Sequence, residues 1–232
     1  MDRTTGWERL GAATGIAFVV FLLASFLVIP DAPPALDDPI SKIKSFYVDN
    51  SSQWQASAYL TGLAAFFFLW FMGSLRAALE RAEERTEGAV RVARIVSPAG
   101  AVTLALVLVA TAVSDALATR VAAEADQAVI RALYDVQAFT VSFATFTLAA
   151  FVGATSVVSY RTRLLPPLVT WLGLALVPAW LVNGFAMFKE SGAFSPTGAV
   201  GFVVLLVWVA WLLAVSASLM RRAGRAGLPD AA

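Results

Sequence analysis

Hydrophobic residues in this chain are gathered into six long runs, which shorter polar segments separate. Each run is longer than an ordinary β-strand, and most are apolar around the whole helix rather than along one stripe. A helix needs about 20 such residues to cross the hydrocarbon core of a bilayer. The pattern therefore predicts six transmembrane helices, near residues 9–30, 54–75, 94–117, 132–159, 165–188 and 198–220.

The polar segment between the first two runs has a helical pattern of its own. Asp38 is suited to be an N-cap, with Pro39 at the first helical position. Apolar residues then recur at helical spacing, at Ile40, Ile43 and Tyr47. We predict a short amphipathic helix at the membrane surface in this first outer loop. The alternative is an ordinary structured loop that binds no ligand.

The overall composition also indicates a membrane protein. Hydrophobic residues make up 59% of the 232 residues and charged residues only 14%, which is outside the range of soluble proteins. The six runs follow one another without a strand pattern between them. We therefore predict an all-α, polytopic membrane protein in which residues 1–232 form a single transmembrane domain.

The positions of the basic residues predict the orientation in the membrane. Cytoplasmic segments of membrane proteins are enriched in Lys and Arg. If the N-terminus is cytoplasmic, 12 of the 17 basic residues lie inside, namely Arg3, Arg9, Arg76, Arg81, Arg85, Arg91, Arg94, Arg161, Arg163, Arg221, Arg222 and Arg225. The other 5 lie outside, namely Lys42, Lys44, Arg120, Arg131 and Lys189. We therefore predict that both termini are cytoplasmic. The excess of Arg over Lys is typical of a GC-rich genome, so we expect a bacterial plasma membrane protein.

Two residue types are missing from the chain, which has no cysteine and no histidine. Their absence removes the usual thiolate nucleophile, the usual haem and catalytic-metal ligands and the commonest general base. We therefore predict a protein that is not an enzyme, and we expect no metal or cofactor site. The charged loop after the second run mixes acidic and basic residues, which argues against a nucleic-acid partner.

Five polar residues in the outer halves of the runs are candidates for lining a ligand site. They are Tyr59, Asp115, Asp135, Gln137 and Asn183. Ionisable and amide side chains are costly inside a membrane, so they mark candidate functional sites unless they lie at the interface. Asn183 is the most deeply placed amide, because it precedes Lys189 by six residues, or about 9 Å of helix.

These positions predict a pocket that opens to the extracytoplasmic side and is lined by the second to fifth helices. The pocket would hold a small or lipid-like molecule. The alternative for Asp115 and Asp135 is that they are charges at the membrane interface, paired with Arg120 or Arg131.

Hydroxyl residues continue along the fourth run after these polar positions, at Thr140, Ser142, Thr145 and Thr147. They recur at helical spacing on two adjacent stripes. Small and hydroxyl side chains let helix backbones approach closely, and their hydroxyls bond to carbonyls of the preceding turn. We interpret this part of the run as a helix-packing surface.

Four short segments carry a resemblance to a known group of proteins. They are FYVDN before the second run, FLWFMGSLRAAL at its inner end, ALYD at the start of the fourth run, and RTRLLPPLVTWLG before the fifth. In these segments the chain resembles small six-span membrane proteins of high-GC bacteria, of the domain-of-unknown-function type. The resemblance implies a six-span topology, and it implies no catalytic, cofactor or ligand-binding residue.

Two hypotheses for function follow from these observations. In the preferred one, the protein binds, senses or moves a small or lipid-like molecule through the extracytoplasmic pocket. In the second, it is an accessory or structural subunit, in which small-residue stripes on the fourth or sixth helix contact a membrane partner or a second copy of the chain. The lipid bilayer is a partner in both.

Overall fold

A computed structural model describes residues 3–86 and 91–225 of the chain. Helices make up 85% of the structure, and the described residues contain no strand. The helices are α1 (Arg3–Leu27), α2 (Ile40–Asp49), α3 (Ser51–Glu84), α4 (Ala93–Ala116), α5 (Ala122–Glu124), α6 (Gln127–Thr162), α7 (Pro167–Asn183) and α8 (Ala199–Arg225). A π turn, Leu117–Val121, joins α4 to α5, and a 3₁₀ helix, Gly184–Phe188, follows α7.

Six of these helices, α1, α3, α4, α6, α7 and α8, are long and apolar enough to cross a membrane by length and composition. The predicted all-α fold with six spans is thus confirmed. The helices α3 and α6 extend beyond their hydrophobic runs, because helical hydrogen bonding continues into polar sequence until a residue interrupts it. The first helix instead ends at Leu27, before its run does. Pro30 explains this early end, since a proline disfavours helical geometry in the residue before it.

The six long helices form an up-and-down bundle. Each packs against its neighbours in chain order, α8 returns against α1, and α6 also contacts α3 across the bundle. Short connections favour such antiparallel neighbours. The most enclosed helix is α6, with 61% of its apolar segment buried, against about a third or less for the other five. Helix α6 is therefore the centre around which the other helices are arranged.

Aromatic side chains fill the middle of the bundle. Phe71, Phe151 and Trp211 are fully buried there, and the rings of Phe151 and Trp211 meet edge to face with centroids 6.4 Å apart. Such edge-to-face contacts are a favoured aromatic geometry. The indole nitrogen of Trp211 donates to the carbonyl of Val169 at 2.9 Å, which ties α8 to α7.

One glycine allows this arrangement. A Cβ atom at Gly173 would lie 2.1 Å from the Ser156 hydroxyl and 2.6 Å from the Trp211 indole nitrogen. No side chain fits at these distances, so α6, α7 and α8 meet here only because residue 173 lacks one.

The hydroxyl residues of α6 pack inside the bundle, as predicted. Ser142 and Thr145 are buried and bond to carbonyls of the preceding turn. The hydroxyl of Thr147 meets that of Thr103 at 2.7 Å and so links α6 to α4. Thr147 and Thr140 are only partly covered, and the hydroxyl of Thr140 bonds to the carbonyl of Val136 in its own helix.

A buried carboxylate holds the start of α4. Glu83, near the end of α3, accepts hydrogen bonds from the backbone N–H groups of Val92 and Ala93 at 3.0 and 3.3 Å. The first N–H groups of a helix have no partner within the helix and carry a partial positive charge. Glu83 therefore caps α4 and joins it to α3.

The two ends of the bundle differ in what covers them. At one, the capped end, the segment 28–50 lies against the turn after α4 and the start of α6. At the other, the arginine end, the turn of residues 163–166 between α6 and α7 lies beside the last turns of α8.

Candidate ligand cleft at the capped end

Helix α2 forms the cover of the capped end. Its residues Ile43, Phe46 and Tyr47 are buried. They pack in one apolar cluster with Leu36, Leu117, Ala118, Ala122, Ile130, Tyr134 and Ala138. The short helix predicted in this loop therefore exists, and its apolar face is buried against the bundle.

The predicted start of α2 was wrong by one residue, and so was the predicted cap. The helix begins at Ile40, with Pro39 in the N-cap position and no side-chain cap. The carboxylate of Asp38 accepts hydrogen bonds from the backbone of Ala35 at 2.8 Å and from Lys42 at 2.7 Å. Asp38 thus closes the turn before the helix and forms an i,i+4 ion pair, an arrangement that competes with capping.

Three hydrogen bonds hold the loop before α2 across the bundle. The guanidinium of Arg131 donates to the carbonyls of Leu36 and Asp38, the latter at 2.6 Å. The hydroxyl of Tyr134 donates to the carbonyl of Pro34 at 2.5 Å. Since Arg131 and Tyr134 lie one turn apart on α6, they fasten the loop to the first two turns of that helix. A ligand site built on this loop is therefore anchored to the central helix.

A fourth bond joins the loop before α2 to the loop after α7. The backbone N–H of Leu36 donates to the carbonyl of Glu190 at 3.0 Å. Residues far apart in the sequence are thereby brought to the same side of α6. This contact forms the remaining wall of a cleft.

Local environment shifts the pKa values of two groups in the cap. The hydrogen bond from Lys42, and then that from the Ala35 backbone, hold the pKa of the partly exposed Asp38 below its usual 3.8. Burial raises the pKa of the Tyr47 phenol to about 12, and a hydrogen bond with Ser114 opposes this shift. Asp38 is therefore ionised and Tyr47 neutral at neutral pH.

A cleft of about 390 Å³ opens between these two loops and α6. It is lined by Leu36, Asp37, Arg131, Asp135, Phe139 and Glu190. Leu36 and Phe139 supply apolar surface, and the other four side chains are ionisable. The cleft thus combines a small apolar wall with a rim that is mainly charged, and it is more polar than a usual small-molecule site.

Negative charge dominates the rim of this cleft. Three carboxylates, from Asp37, Asp135 and Glu190, face one guanidinium, that of Arg131. Two donors of Arg131 are already directed to backbone carbonyls. The residues described by the structure include no group of three acidic side chains placed to hold a metal ion. The three carboxylates give this cleft a net negative charge, which attracts cations.

Asp135 is the predicted site residue that lines the cleft. The structure records no ion pair between Asp135 and Arg131, and the guanidinium bonds to the loop backbone instead. Asp115 does not line the cleft. It lies on α4, half-buried, and its Oδ1 atom is buried without a hydrogen-bond partner among the described residues.

The other three predicted residues point to different surroundings. The side chain of Asn183 lies against α8, where a Cβ atom at Gly201 would be 3.2 Å from its Oδ1 atom. Gln137 is half-buried on α6 and is not part of the cleft lining. Tyr59 on α3 is 70% exposed on the outside of the bundle. Only Asp135 of the five predicted residues therefore contributes to this cleft.

Sequence analysis did not single out Asp37, Phe139 or Glu190. Asp37 and Glu190 lie in polar loops, where a carboxylate is unremarkable because water reaches it. The one signal was the doublet Asp37–Asp38 before a proline, which was interpreted only as a helix start. Their proximity depends on the bond between Leu36 and Glu190, which no local pattern announces.

Comparisons with known proteins add no relative from which a site could be transferred. No protein-family model, no curated protein and no solved structure matches the chain. What this chain shows by itself is a bundle of six apolar helices suited to a lipid bilayer, with a charged cleft at its capped end.

Proposed function

We propose that this integral membrane protein binds a small organic cation, such as an amine or quaternary ammonium compound, in the cleft at the capped end. The observation that carries the proposal is the convergence of Asp37, Asp135 and Glu190 on a cleft that also contains Phe139. Carboxylates attract a cation, and an aromatic ring adds a cation–π contact when the cation lies over its face. An apolar substituent on the ligand would lie against Leu36.

Binding or sensing is a better interpretation of this cleft than passage through the bundle. The space below the cleft is occupied by a continuous apolar core that includes Phe68, Phe151 and Trp211. An ion moving along that path would have to displace closely packed side chains. A ligand held at the rim needs no such movement.

The distribution of charge supports an extracytoplasmic position for the cleft. Most basic residues lie toward the arginine end, and the positive-inside rule assigns that end to the cytoplasm. Both termini are then cytoplasmic, and the capped end meets the outside of a bacterial plasma membrane. The resemblance to six-span proteins of high-GC bacteria supports the same location.

A role as an accessory subunit is the second candidate, and a different helix favours it. The small and hydroxyl residues of α6 are used within the chain, against α4 and α7. Helix α3 instead presents Gly62 and Gly73, where an added Cβ atom would meet nothing, on either side of the exposed Phe66 and Trp70. If α3 is a self-association surface, the variant Gly62→Leu should form fewer dimers, as measured by chemical cross-linking in nanodiscs. Cation binding by this variant should not change.

The cation site is tested with purified full-length protein in nanodiscs of zwitterionic lipid. The probe is a fluorescent alkyltrimethylammonium ion, compared with an uncharged analogue of the same shape. We expect the cation to bind more tightly than the analogue, and Asp135→Asn to weaken binding of the cation by about tenfold, since the attraction between two unit charges about 4 Å apart is about 1 kcal/mol in water and larger near a protein surface.

The matched control is Asp49→Asn, which removes the same charge from an exposed position on α2 outside the cleft. It should leave binding of the probe unchanged. Equal binding of the charged and uncharged probes, or equal losses in the two variants, would refute the proposal. Thermal unfolding of both variants verifies that they are folded.

A further inference from the structure

A groove of about 600 Å³ opens at the arginine end, between the last turns of α6 and α8 and the turn of residues 163–166. Three guanidinium groups line it, from Arg163, Arg221 and Arg222, and no carboxylate of the described residues does. The hydroxyl residues Ser159 and Ser218 are also part of the lining. The groove therefore concentrates positive charge in one place, whereas the hydroxyls of Ser159 and Ser218 donate to the carbonyls of Thr155 and Ala214 in their own helices.

The turn between α6 and α7 sets the position of these cations. Helix α6 ends at Thr162, and its C-cap residue, Arg163, adopts a left-handed conformation with φ of 52°. The next two residues, Leu164 and Leu165, are buried and anchor the turn to the core. Arg222 donates from Nη2 to the carbonyl of Arg163 at 2.7 Å, so the end of α8 is fastened to this turn. The arginines are thus held at the groove by the fold.

Among the described residues, no carboxylate lines the groove beside its three guanidinium groups. The ion pairs of Lys42 with Asp38 and of Arg76 with Glu80 involve none of these arginines. Helix α7 starts at the groove, at Pro167, without a side-chain cap. The positive end of the α7 dipole and the negative ends of the α6 and α8 dipoles lie together at this groove, so its attraction for an anion comes from the three guanidinium groups.

An aromatic rim continues the groove onto the outer surface of the bundle. Tyr160 and Trp171 line the groove, and their rings meet edge to face with centroids 5.5 Å apart. They are 58% and 57% exposed, and the neighbouring Leu168 is 80% exposed. Tyr and Trp are enriched where a membrane protein meets the lipid headgroups. A phosphate in the groove would accordingly have an apolar surface beside it for an acyl chain.

We propose that this groove binds the phosphate of an anionic phospholipid, with Arg163, Arg221 and Arg222 around the headgroup and Trp171 and Tyr160 against the glycerol and the start of an acyl chain. Arginine is suited to this role because its planar fork forms paired hydrogen bonds with phosphate oxygens. Basic pockets between membrane helices are a known means of headgroup binding. The adjacent aromatic rim favours a lipid over a soluble phosphate, since a soluble anion would leave that rim unused.

The proposal is tested by lipid selectivity. Full-length protein is equilibrated in mixed micelles with equal amounts of phosphatidylglycerol and phosphatidylcholine, and the lipids that remain bound are quantified by mass spectrometry. We expect an excess of phosphatidylglycerol, falling by about fivefold for each of the variants Arg163→Gln and Arg222→Gln, because a basic residue near anionic lipid contributes roughly that factor.

The matched control is Arg161→Gln, which removes an exposed arginine two residues before Arg163, outside the groove lining. It should retain the selectivity, and a loss as large as that of Arg163→Gln would refute a defined site in favour of general surface charge. Arg222→Lys keeps the charge if Arg222→Gln fails to fold, and we expect it to lose part of the selectivity through loss of the fork. Glycerol phosphate is added to one sample as a competitor, and sodium chloride of equal ionic strength is added to a second sample as the control. If glycerol phosphate displaces the lipid and the salt does not, the ligand is a soluble phosphate and the lipid assignment is wrong.

Discussion

At the capped end the guanidinium of Arg131 donates to two backbone carbonyls, whereas at the arginine end the side chains of Arg163, Arg221 and Arg222 line an open groove. Both ends contain exposed charge, turns and aromatic residues. At the capped end, Tyr134 and Tyr47 are buried in a packed cluster. At the arginine end, Tyr160 and Trp171 remain more than half exposed.

This difference shows that the partner of an arginine, and not its presence, indicates its role. A guanidinium whose donors bond to the chain's own carbonyls holds a loop and has fewer donors left for a ligand. A guanidinium at a groove without carboxylates keeps more of its donors for an anion, and even Arg222, which donates to the carbonyl of Arg163, uses only one of its donors in that bond. In the sequence Arg131 and Arg163 have similar positions, because one precedes and the other follows the fourth apolar run.

The largest effect is expected from the packed cluster of the capped end. Tyr134 is buried, its ring meets that of Tyr47 edge to face, and its hydroxyl bonds to Pro34. Tyr134→Ala should lower the free energy of unfolding by about 3–5 kcal/mol, the usual cost of removing a buried aromatic ring. Tyr134→Phe, which removes only the hydrogen bond, should cost about 0.5–1.5 kcal/mol. Thermal unfolding in detergent, followed by tryptophan fluorescence, measures both, and similar losses would mean that packing of the cap contributes little.

A matched pair of arginine variants tests the comparison directly. Arg131→Gln removes the donor of two loop carbonyls and should destabilise the protein by about 1.5–3 kcal/mol, the range for hydrogen bonds to charged groups. Arg221→Gln at the groove should change stability by no more than about 0.5 kcal/mol. Limited proteolysis should also cleave segment 28–39 faster in the first variant than in the second. If Arg221→Gln is the more destabilising, the two ends do not differ as described.

The smallest effect is expected from Asp38, which is partly exposed. Because its folded pKa is lowered, mainly by Lys42, its ionised form stabilises the fold at pH values above its ordinary 3.8. This contribution is lost as the pH falls below 3.8 and through the folded pKa. Thermal unfolding of the wild type and of Asp38→Asn, between about pH 6 and about pH 3, should therefore show a small difference that closes at the acid end. A difference that persists at low pH would indicate a role for Asp38 other than its charge.

Much of the architecture could be predicted from the sequence, because it depends on local properties. Long apolar runs predict membrane helices without any knowledge of their neighbours, and the six helices confirm this. The packing role of Ser142 and Thr145 was predictable for the same reason, since hydroxyls at helical spacing bond to their own helix. The N-cap of α2 was not predictable, because the carboxylate of Asp38 could accept hydrogen bonds either from the start of the helix or from Ala35 and Lys42. In the structure it accepts them from Ala35 and Lys42.

The candidate site was predicted only in part. Depth along the sequence drew attention to Asp135, and the structure places Asp135 in the lining of a cleft. Depth does not tell which way a side chain points, however, and Asn183 lies against α8 while Tyr59 faces outward. The other two carboxylates of the cleft, those of Asp37 and Glu190, lie in two loops that are about 150 residues apart in the sequence.

The sequence by itself determined the number of helices, their approximate limits and the accumulation of basic residues at one end, since each of these depends on composition within a single segment. Only the tertiary structure decided which polar groups meet. The bond from Leu36 to Glu190 brings a third carboxylate to Asp37 and Asp135, and the bond from Arg222 to Arg163 joins two cations at one groove. Such contacts depend on how the helices rotate about their axes and pack against each other. Membrane helices are apolar on nearly every side, so their hydrophobicity does not indicate which side faces a neighbouring helix.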